Sequence, residues 1–267
     1  MSRSSDQTDA PYEHIHLEMT GAVATVSIDR PAARNSLTRQ TGLELHHAIR
    51  RVADNREIRV CVLRGTGRDF CCGADLKAPE PEAGARPPPA FDTYQVTVLL
   101  HEMPAVSIAA IRGGCAGAGF GWACACDLRV GDETTVINTA FLDVGVAGDM
   151  GVPWTLPRIV GSGRARDLSL FPRKMPADEA LDIGLLNRLW PKERFEDELA
   201  TLLARLAQYA PQALTLLKAN YLEAERLDLR SFIAIEAERH VRLLGSEDRL
   251  EAFRAWIAKR PAKFTGR

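Results

Sequence analysis

The chain has 267 residues, enough for one large domain or one domain with a smaller appendage, and its 46% hydrophobic content supports a substantial core. A total of 34 Lys and Arg against 35 Asp and Glu leaves a net charge of −1, which gives no case for binding nucleic acid or an anionic membrane. No stretch approaches the ~18 consecutive apolar residues of a membrane span.

Residues 1–12 are polar and lack the apolar segment of a secretory signal, so they read as a disordered lead-in. His14–Met19 and Ala22–Asp29 flank Thr20-Gly21 as a hairpin. Arg39–Ala53 repeats Leu43, Leu45, Ile49 and Val52 at helical spacing. Ile58–Leu63 is a β-branched strand, followed by a turn of small residues, Gly65-Thr-Gly-Arg-Asp-Phe-Cys-Cys-Gly-Ala-Asp-Leu76. Lys77–Pro89 is too rich in proline for regular structure, and such a loop is either a mobile lid or simple disorder. Phe91–Glu102 reads as a helix and Ala105–Ile111 as a buried strand.

The stretch that follows, Gly113 to Asp127, packs five glycines and two alanines into the nine residues 113–121, with the apolar Phe120 and Trp122 at the end of that run. That order is strand, tight turn, helix start. Small residues there let backbone N–H groups approach a ligand, and a helix N-terminus adds unpaired donors. Such a turn suits an anion, or a carbonyl oxygen that becomes one; its other reading is a tight packing turn and nothing more. Beyond it, 128–130 and Thr135–Phe141 read as strands, and Val152–Val160 and Arg164–Phe171 as helices. Pro176 stands at an early position of a further helix. Glu193 to Ala258 is helical throughout, with breaks near Pro211, Asp228 and Ser246. The whole is one α/β core with a helical extension.

Six cysteines, Cys61, Cys71, Cys72, Cys115, Cys124 and Cys126, sit in apolar or glycine-rich surroundings. Cys124-Ala-Cys126 is too tight for a Cys-x-x-Cys pair, and no histidines cluster beside it, so no metal site is expected. Free thiols in a reducing cytoplasm are the expected state. Nothing basic is placed beside Cys71 or Cys72 to favour a thiolate.

Phe70-Cys-Cys-Gly-Ala-Asp-Leu76 resembles the first signature of the crotonase superfamily, also called the enoyl-CoA hydratase/isomerase family. Gly113–Asp127 is similar to its second. Asp29-Arg-Pro-Ala-Ala-Arg-Asn-Ser-Leu37, Ala177–Arg188 and Lys259–Phe264 resemble further family segments in the same order, so the likeness spans residues 14 to 264. The resemblance implies a crotonase-like ββα spiral core, taken as residues 13–200, and a C-terminal helical trimerisation region, 201–267, forming a homotrimer or homohexamer. It implies a lyase or isomerase acting on acyl-CoA thioesters through an enolate, with coenzyme A as part of the substrate and no other cofactor. By matching motifs, the two oxyanion donors fall at the N–H groups of Ala74 and Ala118, flanked by Gly73 and Gly117. Cys72, Asp75 and Leu76 border the CoA arm, Arg34 lies where the family lines the CoA channel, and Trp256 and Lys259 fall where its terminal helix touches CoA. Arg34 also reads as a solvated surface arginine, and Trp256 as ordinary helix packing.

The chain departs from the hydratase pattern. The positions of the two hydratase glutamates are Gly121 and Phe141. The remaining carboxylate is Asp149, which resembles an acid/base aspartate of dienoyl-CoA isomerases and the nucleophilic aspartate of 4-chlorobenzoyl-CoA dehalogenases. Neither match is complete: dienoyl isomerases carry acids at the positions of Gly121 and Phe141, and the dehalogenase histidine has no counterpart. Asp149 also fits a plain N-cap for the helix beginning near Val152. Phe141, Trp122 and Met150 would raise its pKa. The sequence therefore supports an acyl-CoA enzyme using Asp149 for isomerisation or hydration. Nucleophilic Asp149 chemistry and a non-catalytic acyl-CoA-binding protein are the alternatives.

Overall fold

The computed structural model describes residues 12–77 and 89–267. The expected lead-in lies outside the described residues except for Tyr12, whose hydroxyl bonds to His47 Nδ1 at 2.9 Å. Residues 78–88 of the proline-rich loop lie outside them as well.

In chain order the strands are β1 (Ile15–Thr20), β2 (Val23–Ile28), β3 (Val60–Gly65), β4 (Val106–Ile111), β5 (Gly114–Ala116), β6 (Leu128–Asp132), β7 (Val136–Asn138), β8 (Met175–Pro176) and β9 (Arg188–Trp190). The helices are α1 (Arg39–Asp54), α2 (Phe91–Glu102), α3 (Ala118–Ala125), α4 (Val152–Val160), α5 (Ser162–Leu170), α6 (Ala177–Asp182), α7 (Phe195–Ala207), α8 (Pro211–Ala224), α9 (Leu229–Leu244) and α10 (Glu247–Ile257). A six-stranded sheet runs β1-β2-β3-β4-β6-β9, antiparallel only at its β1–β2 hairpin. A smaller sheet runs β5-β7-β8. Parallel bridges at Cys71–Cys115 and Leu37–Ala74 prolong its line. Strands and helices alternate around these two sheets and end in four helices, which is the expected ββα spiral with a C-terminal helical region.

The near-continuous apolar runs of β3 and β4 follow from a sheet covered on both faces. Cys61, Leu63, Ala109 and Ile111 face the main core with Leu45, Ile49, Val96 and Trp122 of the helices. Val60, Val62, Ile108 and Ala110 face the other side, closed by Phe195, Leu199 and Leu202 of α7. The short strands β5, β8 and β9 escape sequence reading because two or three residues carry no measurable alternation. Pro176 ends β8 and caps α6 from outside, so it is not an early helical residue as expected. The breaks expected near Asp228 and Ser246 are helix starts. There the Asp228 side chain accepts from the Ser231 N–H and the Ser246 hydroxyl from the Arg249 N–H, as N-caps do. No helix among the described residues is long and apolar enough to cross a membrane.

The helical region is tied to the core by one buried cation. Lys218 of α8 is 6% exposed, and its ammonium donates to the Ala105 carbonyl at 2.9 Å and to Asp127 at 2.7 Å. The same Asp127 oxygen accepts from the Ser107 N–H and hydroxyl. The acid that closes the glycine-rich stretch is thus a fastener between β4, the end of α3 and α8. Replacing Lys218 by Met should cost about 3 kcal/mol, because a half-buried carboxylate then keeps its charge without its partner. Urea unfolding followed by circular dichroism measures this; a loss under about 1 kcal/mol would mean that solvent substitutes for the ammonium.

Candidate active site

The two glycine turns meet. Leu37 N–H donates to the Gly73 carbonyl at 2.7 Å, and Asp75 N–H donates to the Leu37 carbonyl at 2.9 Å. In a parallel ladder the residue between, Ala74, then directs its own N–H away from Leu37. That is the side where Gly73 packs on the second turn. A Cβ on Gly73 would stand 3.2 Å from the Ala116 carbonyl oxygen and 3.6 Å from the Gly117 Cα. Gly73 and Gly117 have φ of 87° and 53°, a region that favours glycine. Ala118 begins α3, so its N–H is one of the helix's orphan donors. Neither the Ala74 nor the Ala118 N–H has an acceptor among the described residues.

Asp149 sits against the first turn of that helix. A Cβ on Gly121 would lie 2.5 Å from the Met150 Cβ and 3.1 Å from the Asp149 carbonyl oxygen, so only glycine admits the 148–151 turn so close. This turn is unusual in its backbone: Gly148, Met150 and Gly151 all have positive φ, at 123°, 44° and 75°. Thr97 of α2 donates to the Met150 carbonyl at 3.2 Å and holds it from the other side. The Asp149 carboxylate accepts from the Met150 N–H at 2.9 Å. It does not cap α4. The residue at that N-cap is Gly151, with no side-chain bond, which removes the capping explanation for Asp149. Burial pushes the Asp149 carboxyl above its ordinary value, against a smaller downward pull from the Met150 N–H.

The other expected residues divide. Cys72 and Arg34 line one cleft, where Arg34 is held by Asp69 through two bonds of 2.9 and 3.0 Å. Its side chain is 55% exposed, so it is solvated and paired at once. Asp75 pairs with Arg30 at 2.9 Å, and Leu76 is exposed. Phe141 is buried, while Leu142 and Val144 after it are exposed. Trp256 is 79% exposed, so it is not the ordinary helix packing that the sequence offered as one reading. Lys259 is exposed too, with φ of 49°; neither is brought to the turns within one copy of the chain.

All six cysteines are free. Contrary to expectation, basic groups do stand near Cys72. Burial and Asp69 push its thiol up, and Arg34 and Arg68 only partly oppose them. Burial likewise pushes Cys71 up to about 12, so neither is a thiolate at neutral pH. Among the described residues no cluster of His, Cys, Asp or Glu could hold a metal ion.

Two contributors had no recognised role in the sequence. Asn35 is fully buried at φ 55° and ties the first motif to the loop after β3, donating to the Thr66 and Asp69 carbonyls at 2.8 and 2.6 Å. An Asn before a strand-like segment, tolerant of the left-handed region, was its available signal. Thr97 gave none, since its contact joins residues 53 apart.

The fold agrees with the comparisons to known proteins. The profile of the family described as enoyl-CoA hydratase/isomerase matches residues 18–267, and the chain belongs to that family. The crotonyl-CoA hydratase of Syntrophomonas wolfei is 30% identical over 95% of this chain and 98% of its own length. The mitochondrial Delta(3,5)-Delta(2,4)-dienoyl-CoA isomerase of Rattus norvegicus is 29% identical over 96% of this chain and 83% of its own. The crystal structure of an enoyl-CoA hydratase from Bacillus anthracis superposes with a TM-score of 0.87 at 27% identity, covering 96% of this chain and all of the other. The chain is thus an acyl-CoA-processing enzyme of the crotonase superfamily.

Two outcomes test the Asp149 turn. Gly121→Ala should destabilise the fold by about 1–3 kcal/mol, because the new methyl overlaps Met150 and the turn must shift; thermal unfolding reads it, and an unchanged midpoint would refute the close contact. Asp149→Asn should stabilise the chain at neutral pH. A carboxyl whose folded pKa is raised loses its proton first in the unfolded state, so stability falls as pH rises through the window above the ordinary value and stays lower beyond it. The advantage of Asn should vanish below about pH 3, where Asp149 is protonated in both states.

Proposed function

We propose that the chain binds an acyl-CoA thioester with its carbonyl oxygen between the N–H groups of Ala74 and Ala118, and that Asp149 transfers the proton of a double-bond isomerisation. The observation that carries this reading is the half-buried Asp149, whose backbone packs against Gly121 in the first turn of the helix that starts at Ala118, with Gly121 and Phe141 at the other two acid positions. Ionised Asp149 removes a proton from one carbon beside the double bond. The electron pair moves toward the thioester, and the oxygen that gains charge is held by the two amides. The same carboxyl returns the proton to another carbon, so atoms and charge balance without water. Two donors preset for an oxyanion are worth several kcal/mol in the barrier, about 3–4 for one of them. Gly73 and Gly117 serve as spacers that keep side chains off the oxygen, and Gly121, Phe141 and Trp122 shape the acyl end.

Hydration, with Asp149 activating a water, uses the same groups and is the second reading; the likeness to a crotonyl-CoA hydratase favours it. In either case Cys72, Asp75, Leu76 and Arg34 border the CoA arm. Trp256 and Lys259 act from a neighbouring copy in a homotrimer or homohexamer. The support is the C-terminal surface: α9 has no buried residue, and Leu229, Val241, Phe253, Trp256 and Ile257 are each more than half exposed. Apolar area of that extent marks an interface.

Turnover of 2-enoyl-, 3-enoyl-, dienoyl- and aryl-CoA thioesters by wild type and Asp149→Asn tests the proposal. A product with a shifted double bond, and a loss of about a hundredfold or more in the variant, is the expected outcome. Equal rates would remove Asp149 from the chemistry. A covalent adduct on Asp149 by intact-mass spectrometry would replace proton transfer by nucleophilic attack. Tight binding without turnover across the panel would leave an acyl-CoA-binding protein.

A further inference from the structure

Helix α2 meets its neighbours with two faces. Thr93, Val96 and Leu100 are buried and lie at the spacing of one helix face. A Cβ on Gly42 of α1 would stand 2.3 Å from the Thr93 hydroxyl, so α1 and α2 pack closely there. The adjoining face carries Thr97 and His101, one turn apart, and both reach the segment that holds Asp149. The Thr97 hydroxyl donates to the Met150 carbonyl at 3.2 Å. The His101 ring meets the Trp154 ring edge-on, with centroids 5.1 Å apart and planes at 82°. Met150 and Trp154 are likewise separated by four positions, so the two contacts run in register along the Asp149 turn and the start of α4.

A threonine inside a helix commonly turns its hydroxyl to a carbonyl of its own preceding turn. Thr97 instead gives it to the residue held at φ 44°. Trp154 is fixed on a second side by Arg158, whose guanidinium lies 3.8 Å from its ring centroid. The Trp154 N–H donates to the Gly151 carbonyl at 2.9 Å, and the Val152 N–H to the Asp149 carbonyl at 3.0 Å. A shift of Trp154 is therefore passed to the backbone of residue 149. The carboxyl end of α2 is itself pinned by α8. Lys218 reaches the Leu100 carbonyl at 3.4 Å, His101 Nε2 donates to Glu225 at 3.0 Å, and Arg226 donates to Glu102. Helix α2 is thus a bar seated on α1 and fastened to α8, with the Asp149 turn leaning on it.

We propose that Thr97 and His101 are positioning residues for the reaction, fixing the place of the Asp149 carboxylate through Met150 and Trp154, a role that presupposes the acid/base reading of Asp149. With Gly148, Met150 and Gly151 all at positive φ, the turn keeps its shape only while contacts from outside over-determine it. Proton transfer needs the carboxylate within hydrogen-bond reach of the reacting carbon, and a displacement of about 1 Å costs about a hundredfold in rate. Thr97 anchors the turn at its strained residue, and His101 anchors the helix into which the turn runs.

Two readouts on the full chain test this: steady-state turnover of the thioester panel, and the Asp149 titration from carboxyl carbon-13 shifts, its signal assigned by its absence from Asp149→Asn. Thr97→Val keeps the side-chain volume and removes the donor, and His101→Leu removes the ring. Each should lower kcat about tenfold or more with KM within about twofold. Each should also bring the Asp149 pKa back toward its ordinary value, as the loosened turn admits water. Thr97→Ser, which keeps the hydroxyl, and His101→Phe, which keeps a ring without the bond to Glu225, should restore both readouts. Equal turnover by Asp149→Asn and wild type sinks the acid/base reading and the positioning role with it. A loss in Asp149→Asn beside unaltered kcat in Thr97→Val and His101→Leu leaves that reading standing and overturns the positioning role alone. Losses that the conservative variants do not restore, or that accompany a lower thermal midpoint with an unmoved Asp149 titration, overturn it as well, since the two residues then serve packing only. Where no thioester is turned over, the titration decides: an Asp149 signal unmoved by both variants refutes the placement.

Discussion

The candidate site rests on two turns that touch at Gly73 and Gly117, and on the next N–H of each, Ala74 and Ala118, for which the described residues offer no acceptor. Ala118 is buried, where an unpaired amide is costly, whereas Ala74 is exposed in a single copy of the chain. Here neither omission breaks an element of secondary structure. Ala74 lies beyond the Cys71–Cys115 bridge, where its strand segment pairs with Leu37 on one side only. Ala118 is the first residue of α3, where an orphan donor is unavoidable. Gly73 and Gly117 occupy backbone regions that favour glycine, and a Cβ on Gly73 would press on the Ala116 carbonyl, so glycine suits both turns where they meet.

That juxtaposition is held from outside by the first motif. Arg30 donates to the Ser36 carbonyl and to Asp75, and its own N–H donates to Asn35 at 2.8 Å. Asn35 reaches the loop after β3, and Asp69 in that loop accepts from Arg34 and from Gly114 beside the second turn. Burial by itself would raise the Asp69 carboxyl. The bonds from Arg34 and Gly114 and the charges of Arg34 and Arg68 outweigh burial, and its pKa is lowered. The first motif, the first turn and the second turn therefore form one hydrogen-bonded unit around an ionised carboxylate. This explains in physical terms why Arg34 is read from sequence as a channel residue and yet spends its guanidinium on Asp69.

Long elements with a clear period were legible in the sequence. Arg39–Ala53 and Val152–Val160 form within a residue of the reading, because their apolar positions recur at helical spacing, and Phe91–Glu102 forms as read without such a stripe, bounded by prolines on either side. Strands β5, β8 and β9 were not legible, since their existence is decided by partners distant in the chain. The same divide runs through the site. Small-residue turns and the lone carboxylate could be picked out as types of residue, but a contact such as Thr97 to Met150 belongs to no local pattern. The cleft that Arg34 and Cys72 line was invisible for a related reason: its other walls, among them Arg68, Arg112, Lys174 and Lys192, are scattered over more than a hundred positions, and only the sheet assembles them.

The missing acids and the remaining one are linked by space. Gly121 stands where the hydratase pattern has its first glutamate, and it is also the point on which Asp149 and Met150 rest. Any side chain at position 121 would begin 2.5 Å from the Met150 Cβ, closer than packed carbon atoms come. A glutamate there and this turn cannot coexist. The turn itself holds Met150 at φ 44° between two glycines of positive φ, a conformation that persists only where surrounding contacts over-determine it. Thr97 and the body of α3 supply those contacts. Glycine at 121 is thus what lets the 148–151 turn of this chain rest against α3. The direction of the Asp149 shift agrees: a group brought in against a packed helix turn is desolvated, and its proton is held more tightly than in water.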